Sequence, residues 1–216
     1  MLSFIPTPIN KEDITLRALR LLKEVNILFC EDTRTTIKLL RMYDIERKNK
    51  QLYSLTSYTP EHKIDEYITM VKEQNCGVVS EAGTPLSDPG KHLIKLCREW
   101  SLPFEVLPGA NALIPVIACP TDTSSFVYVF LPQKKGRQTM LKEILQSVEP
   151  VFAYESVHRI QKLLEQLQKI YEKIYIREIS KMYEQHLSAP EELLAKIESQ
   201  ELPVKGEFVV FYKDHK

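Results

Sequence analysis

The sequence predicts an α/β protein of two domains, each a mixed or parallel sheet flanked by helices. Short apolar runs alternate with segments of helical spacing, the pattern of stacked β-α units. The length of 216 residues suits two cores of about 100 residues each. A small, polar, proline-bearing stretch from Cys119 to Ser125 interrupts the pattern and suits a connection. The expected domains are therefore 1–119 and 120–216.

In order, Leu2-Ser3-Phe4-Ile5 reads as a strand stopped by Pro6 and Pro8. Asp13 is the expected cap of a helix whose apolar residues Ile14, Ala18, Leu21, Leu22 and Val25 share one face. Asn26 to Cys30 reads as the next strand and Thr35 to Tyr43 as the next helix. Tyr53 to Ser57 suits a short strand, Glu61 to Gln74 a helix, Gly77 to Val79 a buried strand and Lys91 to Trp100 a helix. Phe104 to Leu107 and the apolar segment Ala110 to Ala118 close the first domain. The second is expected to run through strand 126–130, helix 139–147, strand 151–154, helix 160–170, strand 174–176, helix 191–198 and strand 207–211. Ile160, Leu163, Leu164, Leu167 and Ile170 keep helical spacing and turn one face inward.

Composition excludes more than it names. Hydrophobic residues make up 44% and charged residues 27%, and no run approaches the roughly 20 apolar residues that span a bilayer. The N-terminus has no secretory pattern, and Cys30, Cys76, Cys97 and Cys119 lack metal-type pairing, so a cytoplasmic protein with reduced thiols and no metal is expected. The 29 basic and 29 acidic residues cancel, so any contact with nucleic acid has to be local. The basic clusters at 46–50 and 134–137 read as solvated loops.

Chemistry-bearing residues collect where strands end. Ser80-Glu81-Ala82-Gly83-Thr84-Pro85-Leu86 follows the buried strand Val78-Val79, and Leu107-Pro108-Gly109-Ala110-Asn111-Ala112 follows another. Open α/β sheets bind ligands at this edge, and small residues let backbone approach closely. Both loops also suit ordinary β-α connections. Glu31-Asp32-Thr33-Arg34 follows a third strand; Asp32 or Thr33 can cap a helix there, or Arg34 can grip an anionic group such as phosphate. Tyr154-Glu155-Ser156-Val157-His158-Arg159 and Arg177-Glu178-Ile179-Ser180-Lys181 sit at strand ends of the second domain. No P-loop, G-x-S-x-G or G-x-G-x-x-G is present, which argues against NTPase, hydrolase and Rossmann dehydrogenase readings.

Taken in order, these segments resemble the motif series of the ribosomal RNA small subunit methyltransferase I family, a branch of the tetrapyrrole (corrin/porphyrin) methylases. The likeness runs from Pro6-Thr7-Pro8-Ile9-Asn10 through Glu31 to Arg34, Ala82 to Pro85, Ser87 to Gly90 and Leu107-Pro108-Gly109. It continues through Phe130-Leu131-Pro132, Glu155-Ser156 with His158-Arg159, Arg177-Glu178 with Lys181, and Lys205-Gly206-Glu207. It spans essentially the whole chain.

The resemblance implies S-adenosylmethionine (SAM) folded between two α/β domains, a homodimer, and ribosomal RNA or the small ribosomal subunit as partner. It implies methyl transfer to the 2'-hydroxyl of a cytidine ribose. Carried over by residue, Pro8, Ser80, Glu81, Ala82, Gly83, Leu86, Asn111 and Ala112 surround the cofactor from the first domain. Tyr154, Glu155, Ile179 and Gly206 close it from the second. Glu155 and Lys181 are the candidates for handling the hydroxyl proton, and Arg34 and Arg159 for holding RNA phosphate or ribose. The chain departs from the family pattern in being poorer in loop glycine, with Glu81 where Asp is usual and Ala110-Asn111 where Pro-Ser is usual. Methylation of a tetrapyrrole, and a SAM-binding module without transferase activity, stay open as rival readings.

Overall fold

The computed structural model describes residues 1–84, 90–118, 125–132, 135–167, 172–177, 185–187, 190–199, 201 and 207–213. Contacts divide the chain into two units, Met1–Asn111 and Ala112–Lys216.

The first unit carries strands β1 (Leu2–Ile5), β2 (Ile27–Cys30), β3 (Gln51–Ser54), β4 (Cys76–Val79) and β5 (Phe104–Val106), with helices α1 (Leu16–Glu24), α2 (Thr33–Met42), α3 (Glu61–Glu73) and α4 (Gly90–Glu99). The sheet order is β3-β2-β4-β1-β5, and every pairing is parallel. Parallel sheets are covered on both faces, so their inner strands are apolar throughout. Here β1, β2 and β4 are buried along their whole length. Successive side chains alternate between two cores: Leu2, Phe4, Ile27, Phe29, Cys76 and Val78 face α3 and α4, whereas Ile5, Leu28, Cys30 and Val79 face α1 and α2. Phe29 and Tyr67 lie 4.6 Å apart between ring centres, and Tyr67 donates its hydroxyl to Ser54 O at 2.9 Å. That bond lets a tyrosine fill the core without stranding its polar end.

The cap of α1 is Thr15, not Asp13: its hydroxyl accepts from Ala18 N at 3.1 Å. Asp13 instead closes a preceding 3₁₀ turn, accepting from Asn10 N at 2.7 Å. Strand β3 begins two residues earlier than its apolar pattern suggests, because pairing with β2 (Ile27↔Gln51) sets its register.

The second unit carries α5 (Leu113–Ile117), β6 (Val127–Phe130), α6 (Arg137–Leu145), β7 (Val151–Ser156), α7 (Val157–Leu167), β8 (Glu172–Arg177), β9 (Gln185–Leu187), α8 (Pro190–Glu198) and β10 (Glu207–Lys213). The sheet is mixed, in the order β6-β7-β10-β8-β9, with β6 parallel to β7 and the other pairings antiparallel. On one face Val151, Ala153, Phe208 and Val210 pack with Leu141, Ile144, Ile160, Leu163, Leu164, Leu194 and Ile197 from α6, α7 and α8. On the other, Phe152 and Val209 pack with Leu113 and Val116. This packing sets α5 with the second unit, upstream of the Cys119–Ser125 segment on which the sequence reading placed its boundary. Residues 119–124 of that segment lie outside the described residues.

Candidate functional site

All five strands of the first sheet end on one edge, and the loops beyond β1, β4 and β5 are tied together. Thr7 N donates to Gly83 O at 3.0 Å and Gly83 N returns to Thr7 O at 3.1 Å, joining the loops after β1 and β4. The Thr7 hydroxyl, itself buried, and the Ser80 hydroxyl both reach Gly83 O, at 3.4 and 2.8 Å. Thr84 N and its hydroxyl donate to Ala110 O at 2.9 and 3.3 Å, which adds the loop after β5.

Two glycines make this rim possible. Gly83 has φ of +74°, a conformation that L side chains rarely adopt, and a Cβ there would lie 3.0 Å from Ala110 O. Gly109 packs flat against Pro6, where an added Cβ would overlap the pyrrolidine ring. Close backbone approach therefore fixes three loops into one surface, with Pro8, Ser80 and Asn111 half-buried beside the exposed Glu81 and Ala82.

Carboxylates dominate the neighbouring strand end. Glu31 accepts from Glu81 N at 3.3 Å. Burial pushes the Glu31 carboxyl up; the Glu81 N–H opposes this and the Glu81 carboxylate adds to it. Asp32 caps α2, accepting from Arg34 N at 2.7 Å, and binds the Arg34 guanidinium at 2.6 Å. Arg34 is thus exposed and folded onto its own cap rather than reaching outward.

The Arg34 side chain first, then its backbone N–H, hold the Asp32 carboxyl down to about 2, against 3.8 ordinarily. Because the folded value is the lower one, the contribution of this cap is full above about pH 4 and is lost as pH falls through about 2. Carbon-13 titration of the Asp32 carboxyl should give a midpoint near 2 that Arg34→Ala moves back toward 3.8; a wild-type midpoint near 4 would show that the pair does not persist in solution.

In the second unit a cavity of about 250 Å³ is lined by Ala112, Phe130, Leu131, Tyr154, Glu155, Ser156, Arg159, Phe208 and Val209. Phe130 and Tyr154 stack along one side, 4.8 Å between centres and 8° from parallel. Glu155 is fully buried at the junction where β7 passes directly into α7. Its Oε1 accepts from Arg159 Nε at 2.8 Å and Ser156 N at 2.7 Å, and its Oε2 accepts from Arg137, which also donates to Pro132 O at 3.3 Å. With both oxygens engaged, Glu155 is an anchor for two guanidinium groups. It is not placed as an open base.

Arg137 is the participant that sequence reasoning missed. It sits in a cluster read as a solvated loop, yet its side chain is only 8% exposed. Gly136, at φ +83°, turns the chain into α6 and sends the first helical residue inward. The available signal in the sequence was the glycine directly before the arginine, a residue that readily takes the left-handed turn into a helix. Asn111 and Ala112, adjacent in the expected cofactor loop, fall on either side of the division between units, and Ala112 lines the second unit's cavity. Leu86, Ile179, Lys181 and Gly206 lie outside the described residues.

The fold is shared with solved structures. A uroporphyrin-III C-methyltransferase from Thermus thermophilus, crystallised with S-adenosylhomocysteine, superposes with a TM-score of 0.67 at 16% identity, covering 98% of this chain and 96% of that one. The family model described as Tetrapyrrole (Corrin/Porphyrin) Methylases matches residues 1–195, which defines the class. Within it, the ribosomal RNA small subunit methyltransferase I of Escherichia coli O157:H7 is 39% identical over all of this chain and 78% of its own length. That of a Hydrogenobaculum species is 36% identical over 95% of this chain and 92% of its own length. The chain belongs to the ribosomal RNA small subunit methyltransferase I family of the tetrapyrrole methylases, and is a methyltransferase.

Proposed function

We propose that this chain transfers the methyl group of SAM to the 2'-hydroxyl of a cytidine ribose in small-subunit ribosomal RNA, acting as a cytoplasmic homodimer. The observation that carries the reading is the hydrogen-bonded rim of Thr7, Gly83, Thr84 and Ala110 in a chain of this family. The rim fits the cofactor chemically: it gathers backbone carbonyls and hydroxyls where two glycines let three loops close together, with Glu31 and Glu81 beside it. Carbonyls and carboxylates suit a molecule that bears both a sulfonium and an ammonium group.

From the first unit, Pro8, Ser80, Glu81, Ala82, Gly83, Leu86 and Asn111 would hold SAM; from the second, Ala112, Tyr154, Ile179 and Gly206. Bound there, SAM supplies an activated methyl carbon. The residues of this chain orient the acceptor and exclude water. Arg159, positioned by Glu155, holds a phosphate or ribose oxygen of the RNA, and the Phe130–Tyr154 stack forms one apolar side of the cavity that Arg159 lines. Lys181 handles the hydroxyl proton in this scheme, and Arg34 exchanges Asp32 for a phosphate.

Calorimetric titration with SAM and with S-adenosylhomocysteine is expected to saturate at one site per chain. Transfer of tritiated methyl to small ribosomal subunits should then give an alkali-stable linkage, because methylation removes the 2'-hydroxyl that attacks the neighbouring phosphate. Saturable binding without transfer to subunits or naked RNA would instead identify a regulatory SAM-binding module, and transfer to a tetrapyrrole alone would change the acceptor class.

A further inference from the structure

A second cavity, of about 390 Å³, opens in the first unit and is lined by Thr56, Ser57, Thr59, Ile64, Lys91, His92 and Lys95. It belongs to the same edge of the sheet as the rim. The turn at residues 56–59 follows the carboxyl end of β3, and α4 follows the loop that leaves β4. None of its lining residues takes part in the proposed cofactor site.

The lining is cationic and rich in hydroxyls. Lys91 and Lys95 stand one turn apart on α4, with His92 next to them, and among the described lining residues none is a carboxylate. Lys95 has a loose surface pair with Glu99 at 3.6 Å, of the kind an incoming anion displaces. Opposite, Thr59 Oγ1 accepts from Thr56 N at 2.8 Å, and Thr56 Oγ1 accepts from Tyr58 N at 3.2 Å. These bonds fix the two hydroxyl oxygens and leave their hydrogens free to donate.

An independent feature gives the ligand class. Tyr58, on the tip of that turn, is 93% exposed, and its backbone is pinned by the Thr56 hydroxyl. A solvent-facing aromatic ring on a hydrogen-bonded turn, beside a cationic, hydroxyl-lined hollow, is what single-stranded nucleic acid requires: a stacking face for a base and a seat for the phosphates that flank it. A free phosphate has no use for the ring, and an acidic peptide lacks the flat base that would cover it.

We propose that this cavity is an accessory RNA-backbone subsite, in which Lys91, Lys95 and the Thr56 and Thr59 hydroxyls hold phosphates of single-stranded RNA while a base stacks on Tyr58. The proposal rests on the RNA-methylating reading for the identity of the partner. It explains how a chain with no net charge gathers enough local positive charge to hold an RNA.

The test uses the full chain, a fluorescein-labelled single-stranded RNA decamer and intact small ribosomal subunits. Removing two phosphate contacts with Lys91→Ala/Lys95→Ala is expected to weaken decamer binding and to flatten its dependence on log salt by about 1.4, at roughly 0.7 per phosphate on a single strand. Tyr58→Ala is expected to weaken binding about 5- to 150-fold, and Tyr58→Phe to restore it. All three positions are exposed, and SAM titration of each variant should match wild type, which separates this subsite from the cofactor reading. The proposal is overturned by a wild-type chain that binds neither the decamer nor subunits, by a salt slope unchanged in the double variant, or by polyglutamate competing as well as RNA. Loss of SAM binding in wild type would instead remove the methyltransferase scheme and leave the decamer result to be judged by itself.

Discussion

Replacing Glu155 by Gln is expected to destabilise the second unit by about 3–5 kcal/mol, the loss typical of stripping one partner from a buried charge group. The Glu155 carboxylate is wholly buried, and Arg137 beside it is only 8% exposed. Gln keeps the shape but replaces an acceptor oxygen with an amide group that donates toward guanidinium donors. Arg137 would then stay charged in the interior with no opposite charge beside it, keeping only neutral acceptors such as Pro132 O, and the bond that aims Arg159 would weaken with it. The single tryptophan, Trp100, lies in the first unit, so its fluorescence reports that unit while far-ultraviolet dichroism reports both. Urea unfolding of Glu155→Gln should therefore shift the dichroism transition and leave the fluorescence transition in place. Arg159→Met keeps the Arg137–Glu155 pair and should stay within about 1 kcal/mol of wild type, because Arg159 is partly exposed; its effect should be a raised KM for the RNA acceptor. If Glu155→Gln were as stable as wild type and lost only kcat, with the acid limb of its rate profile gone, Glu155 would be a proton acceptor and not an anchor.

Gly83→Ala is expected to cost the first unit about 1–3 kcal/mol and to reduce SAM affinity at least about tenfold, since 1.4 kcal/mol lost from the bound state is a factor of ten. Two effects act together: a side chain at φ +74°, and a Cβ only 3.0 Å from Ala110 O. Relieving that contact pulls apart the reciprocal Thr7–Gly83 bonds and the Thr84–Ala110 bonds, which together hold three loops as one surface. Gly136→Ala is the matched control. Its φ is +83°, but nothing lies within 4 Å of its added Cβ, so it should show backbone strain alone, about 1 kcal/mol, with SAM affinity unchanged. Equal effects at the two glycines would mean that backbone strain, not the packing of the rim, sets the loss. In the Gly83 variant it is the Trp100 fluorescence transition that should move.

The elements that sequence located best are those whose pattern is local. Leu2 to Ile5, broken only by Ser3, and Gly77 to Val79 are short runs of apolar or small residues because both sheet faces are covered, and the spacing in α1 and α7 marks the faces that reach the core. Once those strands were expected to be parallel, the residues after them had to share one edge. The rim from Thr7 to Ala110 could therefore be anticipated without coordinates. Short edge strands were harder. Gln185-His186-Leu187 carries almost no apolar signal, and what makes it a strand is its pairing with Tyr175 to Arg177.

What sequence alone determined is the family, the two-unit α/β plan and the strand ends where chemistry gathers, because each follows from residue order and from periodicities of two and 3.6. What only the tertiary structure decided is where charges end their paths. Arg137 looks like one more surface cation until Glu155, 18 residues later, is seen to meet it in the interior, and Arg34 looks like a free anion clamp until it folds back on Asp32. The apolar segment around Leu113 and Val116 closes the first half of the chain in sequence, yet it packs on Phe152 and Val209 of the second. Partners of this kind are set by packing across the fold. The free energy of a charge or an apolar face depends on which surface buries it, and no local pattern records that surface.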